Sequence, residues 1–140
     1  AYDPRLVPAP TQGAALEALQ QAAATGDPVA RFQLGWLLLH KVEPTAADDR
    51  RGALHLKALA EMGHGPSMHN LGQLYVAGRG VPQDYMLGFM WLTLAASTDF
   101  DPARPALAAL QTRATASQIN AAQMRAQDWA KIWQNGATQN

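Results

Sequence analysis

Residues 68–96 read MHNLGQLYVAGRGVPQDYMLGFMWLTLAA, and this stretch decides the fold. Between Pro66 and Ala77, apolar or small residues fall at Met68, Leu71, Gly72, Leu74 and Tyr75, the three-and-four spacing of one helix face. Gly78-Arg79-Gly80-Val81-Pro82 then interrupts the pattern. Gly78 suits the left-handed residue that ends a helix, and Pro82 or Gln83 suits the start of the next. That second helix is predicted to run to about Ala96, with Tyr85, Leu87, Gly88, Trp91, Leu92 and Ala95 on a broad apolar face. Two helices joined by so short a loop form an antiparallel hairpin.

The same plan recurs upstream. Phe32-Gln33-Leu34-Gly35-Trp36-Leu37-Leu38 aligns with His69-Asn70-Leu71-Gly72-Gln73-Leu74-Tyr75 at a shift of 37 residues. Further on, Asp48, Gly52 and Ala60 align with Asp84, Gly88 and Ala96 at a shift of 36. Two units follow, about 26–62 and 63–97, the first with helices over 28–40 and 47–62. One hairpin cannot bury its own apolar face, and stacked neighbours bury it for each other. Proline opens a helix at Asp27-Pro28, Gly65-Pro66 and Asp101-Pro102, and in two of these the aspartate is placed to cap it. A helix over 11–24, with Ala15, Leu16, Leu19 and Ala23 on one face, is expected to precede the units. A pair over 102–113 and 116–134 closes the stack, Thr115 and Gln118 offering a capping box. Residues 1–10 hold three prolines and read as an extended arm; residues 135–140 read as a frayed tail. The fold class is therefore all-α: a short right-handed α-solenoid of antiparallel helix pairs in one domain, 11–134.

Composition narrows the function. The 140 residues carry 11 basic and 11 acidic side chains and no cysteine. Zero formal charge supplies no basic stripe for phosphates, which argues against nucleic acid. Without cysteine there are no disulfides, thiolate metal sites or cysteine nucleophiles. No apolar run approaches the ~20 residues of a membrane span.

Catalytic patterns are equally scarce. His64 and His69 are five apart, a poor spacing for a shared metal, and no His-Glu-x-x-His occurs. Gly78-x-Gly80 follows a helix rather than a strand and lacks the Lys-Ser/Thr of a phosphate loop. Ser67, Ser97 and Ser117 sit in no nucleophile elbow. Asp48-Asp49 beside Arg50-Arg51 reads as a solvated cluster at a helix start, where acids complement the helix dipole. Neither metal nor cofactor is expected, and the chain is read as non-enzymatic.

The quoted stretch resembles a Sel1-like repeat (SLR), a relative of the tetratricopeptide repeat. The matching residues are Leu71, Gly72, Tyr75, Gly78, Gly80, Val81, Asp84, Trp91, Ala95 and Ala96. The first unit keeps Ala30, Leu34, Gly35, Asp48 and Ala60 but replaces the Gly-x-Gly turn with Lys41-Val42-Glu43-Pro44-Thr45. Gly35 and Gly72 are read as notches for a partner helix, with Ala95 and Ala96 doing likewise one helix later. Trp91 and Tyr75 are the large fillers.

Stacked pairs curve, and the first helix of each lines the hollow side. Phe32, Trp36 and Leu39 share one stripe there; His69, Gln73 and Val76 are their equivalents. Exposed, the aromatics would anchor a protein partner; otherwise they pack against the preceding helix. The resemblance implies a protein-interaction module, an adaptor, scaffold or regulatory or immunity partner, in many cases bacterial and exported. A start at Ala1 rather than methionine fits a removed signal peptide or simple trimming alike; with the family habit it favours a periplasmic or secreted protein over a cytoplasmic one, and a monomer is favoured. The competing reading is a small-ligand or cell-wall-associated enzyme using the groove as a pocket. The relatives linked to β-lactam binding are cysteine-rich, and this chain is not.

Overall fold

The computed structural model describes residues 9–138 and, among them, contains only helices and their connections. The helices are α1 (Ala9–Ala24), α2 (Pro28–His40), α3 (Ala46–Ala60), α4 (Gly65–Ala77), α5 (Tyr85–Ser97), α6 (Ala103–Gln111) and α7 (Ala116–Thr138). Helices α1 to α6 pack chiefly on their chain neighbours, α2 on α3 and α4 on α5 most closely. Helix α7 packs on α5 rather than on α6, so the expected closing pair of α6 and α7 is instead two helices that both lie on α5. This is a solenoid of helix pairs.

Local chemistry sets the ends. Asp27 Oδ1 accepts from the Val29 N–H at 3.0 Å, capping α2 one residue before Pro28. Asp84 caps α5 through the Leu87 N–H at 3.0 Å. That places the start of α5 at Tyr85, later than the Pro82 or Gln83 start read from sequence. The reason is that Val81 to Asp84 are taken up in closing α4: the Asp84 N–H donates to the Tyr75 carbonyl and the Gln83 amide to that of Val76. Thr115 and Gln118 form their reciprocal box. Asp101 makes no cap: α6 begins after Pro102 without a side-chain bond.

The two ends of the chain differ from the sequence reading. Residues 1–8 of the expected arm lie outside the described residues, while Ala9 and Pro10 belong to α1. At the other end α7 runs through Thr138, so residues 135–138 are helical rather than frayed. Trp133 holds this helix down, its indole N–H donating to the Glu61 carbonyl at 2.8 Å.

Apolar burial follows the stacking. Ala23, Leu34 and Leu38 join α1 to α2, with Leu16 and Leu19 half-buried beside them. Leu39, Ala53, Leu56 and Leu74 join the first unit to the second. The largest cluster centres on α5 and includes Leu71, Trp91, Leu92 and Ala95, closed by Ala103, Leu110, Ala122 and Ala126.

The notches are reciprocal. A Cβ on Gly35 would stand 3.3 Å from the Gly52 carbonyl oxygen, and one on Gly52 would stand 3.0 Å from that of Gly35. In the second unit a Cβ on Gly72 would meet Leu92 Cγ at 2.8 Å and the Gly88 oxygen at 3.1 Å. The helices of each repeat thus touch backbone to backbone, so close that even a methyl group would push the facing atoms back.

Candidate functional site

The stripe read as a partner surface divides into three kinds of position. Leu39 and Val76 are packing residues. Leu39 is 3% exposed and fills the notch of Gly52; Val76 is half-buried and fills that of Gly88. Both turn toward the second helix of their own pair, which corrects the expectation that they face a partner. The physical reason is that a missing Cβ on one helix leaves a hole, and the branched side chain opposite occupies it.

Phe32 and His69 are spacers between units. Phe32 meets the His64 ring edge-on at 5.1 Å, and its equivalent His69 meets Phe100 at 5.3 Å. In each case a ring on the first helix touches a ring in the segment that leads into the next unit. Both are half-buried, so they show only part of their surface.

Trp36, Gln73 and, beyond the sequence reading, His40 are outward. Trp36 stacks on His40 with centroids 4.1 Å apart and planes at 17°. His40 Nδ1 lies 2.8 Å from the Trp36 carbonyl, to which it donates. Trp36 is half-buried; His40 and Gln73 are exposed. His40 follows Trp36 by one turn, and that spacing was available in the sequence.

His64 closes the junction between units. Its Nδ1 accepts from the Ser67 N–H at 3.3 Å and lies 2.6 Å from the Ser67 hydroxyl, so a neutral imidazole caps α4. Burial pulls the His64 pKa below the ordinary 6.5. His69 is lowered chiefly by burial, against a smaller opposing hydrogen bond to Asn70. His55 is lowered by burial and then by Arg31 and Arg51.

The turns are also more than punctuation. Gly78 closes α4 at φ 67°. Gly80, at φ 74°, presses on α3: a Cβ there would stand 2.4 Å from the Asp49 carbonyl oxygen. Between them Arg79 reaches back, donating to the Leu39 carbonyl and, at 2.8 Å, to Asp49 Oδ1. Asp48, read as solvated, is 2% exposed. It accepts from the Thr45 N–H at 2.9 Å and pairs with Lys41 at 2.9 Å and Arg51 at 2.7 Å. These contacts hold its carboxyl far below the usual range, the backbone bond from Thr45 contributing most and Lys41 next.

Other signature residues sit inside. Leu34, Leu71, Trp91 and Ala95 are buried, Tyr75 nearly so, and Ala96 half-buried. Trp91 meets Trp129 at 5.4 Å, and Trp129 meets Trp133 at 5.6 Å. Behind the helix pairs, between α3 and α7, lies an open pocket of about 430 Å³ that sequence reasoning did not find. Its signal was the i, i+4 tryptophan pair on α7, which fixes where that helix crosses the stack. Among the described residues no group of three or more His, Asp or Glu is placed to hold a metal. No described helix is long and apolar enough to cross a membrane.

These features define a helical-repeat protein with a polar and aromatic ridge on its first helices. Residues 28–64 and 65–97 each match the Sel1 repeat, half of the chain together, and the chain belongs to that family. Such repeats are in general protein-interaction modules. Among solved structures, the crystal structure of c5321, a protective antigen present in uropathogenic Escherichia coli strains and displaying an SLR fold, is similar at TM-score 0.74 and 25% sequence identity. The match covers 89% of this chain and 28% of that one, so the chain spans less than a third of that relative. No curated protein matches the sequence with comparable significance.

Proposed function

We propose that the protein is an adaptor or regulatory partner that grips another protein across α2 and α4, with Trp36 as the anchor. The observation that carries this is the Trp36–His40 stack on α2, with Gln73 exposed at the equivalent position of α4. A large ring held in one orientation loses little freedom on binding, and such rings dominate interface energies. The family's general role supports the reading, as does the shortage of catalytic constellations in the sequence. An exported bacterial protein acting as a monomer accords with it and with the similarity to a protective antigen.

The test is Trp36→Ala. A true partner should bind about thirtyfold more weakly, the loss of about 2 kcal/mol that marks an anchor, while Tm and helicity stay unchanged. Equal loss of helicity would make Trp36 a packing residue. Unchanged affinity would move the binding face elsewhere.

A further inference from the structure

The pocket behind the helix pairs has walls, a floor and a closed end. Its floor is Tyr75 of α4 with Leu87, Met90 and Trp91 of α5. One wall is α3, presenting Lys57 and Glu61; the other is α7, presenting Arg125, Asp128, Trp129 and Ile132. The two walls converge where the Trp133 indole N–H donates to the Glu61 carbonyl at 2.8 Å.

That convergence orders the charges. On α3, Glu61 stands at the closing contact and Lys57 one turn behind it. On α7, Asp128 is five residues from Trp133 and Arg125 eight, at about 1.5 Å of rise per residue. Both acids therefore lie toward the closed end and both bases toward the open one. Glu61, Asp128, Lys57 and Arg125 are exposed, and among the described residues none has an ion-pair partner. The Tyr75 hydroxyl on the floor is held above its ordinary value by burial, then by Asp84 and Glu61.

We infer that this slot is a second binding site, taking an arginine side chain of a partner's extended segment with an acidic residue beside it. The guanidinium stacks on Trp129 and reaches Glu61 and Asp128 with its fork of donors. The flanking carboxylate meets Lys57 and Arg125 at the mouth. About 430 Å³ lies in the size range of pockets that enclose a ligand, which leaves room for the arginine and part of its neighbour. Apart from Tyr75 of α4 the site lies on α3, α5 and α7, and it does not depend on the α2–α4 ridge binding anything.

The probe is the acetylated, amidated tripeptide Asp-Arg-Asp, followed through the indole N–H resonances of Trp91 and Trp129. Saturable shifts are expected for the unaltered protein. Replacing arginine by citrulline, which keeps the shape and removes the charge, should weaken binding about tenfold or more. So should the double variant Glu61→Gln, Asp128→Asn, whose exposed positions leave Tm unchanged. Trp36→Ala should bind like the unaltered protein. Equal binding of the citrulline peptide, an unaffected double variant, loss of binding in Trp36→Ala, or no saturable shift up to ~10 mM peptide would each overturn the assignment.

Discussion

The two repeats share one contact and build their turns differently. In both, a pair of glycines lets the helices meet through backbone, each missing Cβ lying 3.0–3.3 Å from the facing carbonyl. In the first repeat, residues 41–45 join the helices, with Glu43 at φ 54° and Val42 68% exposed. In the second, residues 78–84 do so, with Gly78 and Gly80 both at positive φ. The second connection presses on α3 of the first repeat at Asp49 and Ala53, whereas Val42 meets solvent. Pairing within a repeat therefore demands glycine on both helices, and the turn demands its second glycine only where another unit lies against it.

The aspartates diverge for a related reason. Asp84 is the N-cap of α5. Its aligned partner Asp48 stands three positions inside α3, because that helix begins earlier and takes Thr45 as its cap. Moved inward, the carboxylate becomes the centre of a Lys41–Asp48–Arg51 network. One sequence position serves as a cap in one repeat and as a buried ion-pair hub in the other.

The strongest way to break the comparison is at the shared contact. Gly72→Leu should cost at least about 3 kcal/mol in urea unfolding, because the side chain meets Leu92 and the Gly88 backbone together. Gly35→Ala should be milder than Gly72→Ala, its nearest neighbours standing at 3.3 Å rather than 2.8 Å. An unchanged Tm in Gly72→Leu would mean that the helices do not meet there.

Next in size is the turn. Gly80 and Gly26 both hold positive φ, but a Cβ on Gly26 meets nothing within 4 Å. Gly26→Ala should cost about 1 kcal/mol of backbone strain. Gly80→Ala should cost about 3 kcal/mol, the same strain plus displacement of the Asp49 carbonyl. Equal losses would show that stacking places no demand on the turn.

Asp48→Asn sharpens the aspartate contrast, with an expected loss of about 2 kcal/mol at neutral pH from charged hydrogen bonds. The folded pKa is depressed, so the unfolded chain binds the proton first as pH falls. The contribution is complete above the ordinary aspartate range and fades toward strong acid. The gap between Asp48→Asn and the unaltered protein should therefore close in acid; a gap that persisted there would assign the effect to packing.

Much of this was legible in advance, because periodicity and glycine spacing report on contacts within one hairpin. The units, the notches at Gly35 and Gly72, and the Thr115 box needed nothing else. Contacts made by single side chains, within a hairpin or between hairpins, left weaker traces. Leu39 looked like a ridge residue because its spacing from Trp36 matched, and only the position of Gly52 shows that it turns inward. Asp48 looked solvated because nothing local says that Lys41 folds back over it. The pocket depends on the angle at which α7 crosses α5; the Trp129–Trp133 spacing marks the face of α7 that packs there but not that angle.

The smallest effect lies at the junction between the repeats. Asp27 caps the first repeat with a carboxylate oxygen, whereas His64 caps the second with a ring nitrogen. Protonated, His64 loses the acceptor that serves Ser67 and sets a positive charge at the positive end of α4. Its folded pKa lies below 6.5 because the ring, though its residue is exposed, is partly desolvated, in part against Phe32. The unfolded chain then binds more protons in that interval, so stability rises with pH. The contribution is whole above 6.5 and lost as pH falls through the folded value. His55 and His69 are lowered too and act with the same sign. Tm should therefore decline between about pH 7.5 and pH 5. His64→Asn, which caps without titrating, should flatten part of that decline and leave the rest to His55 and His69. A decline as steep in His64→Asn as in the unaltered protein would show that the imidazole cap contributes nothing to holding the two repeats together.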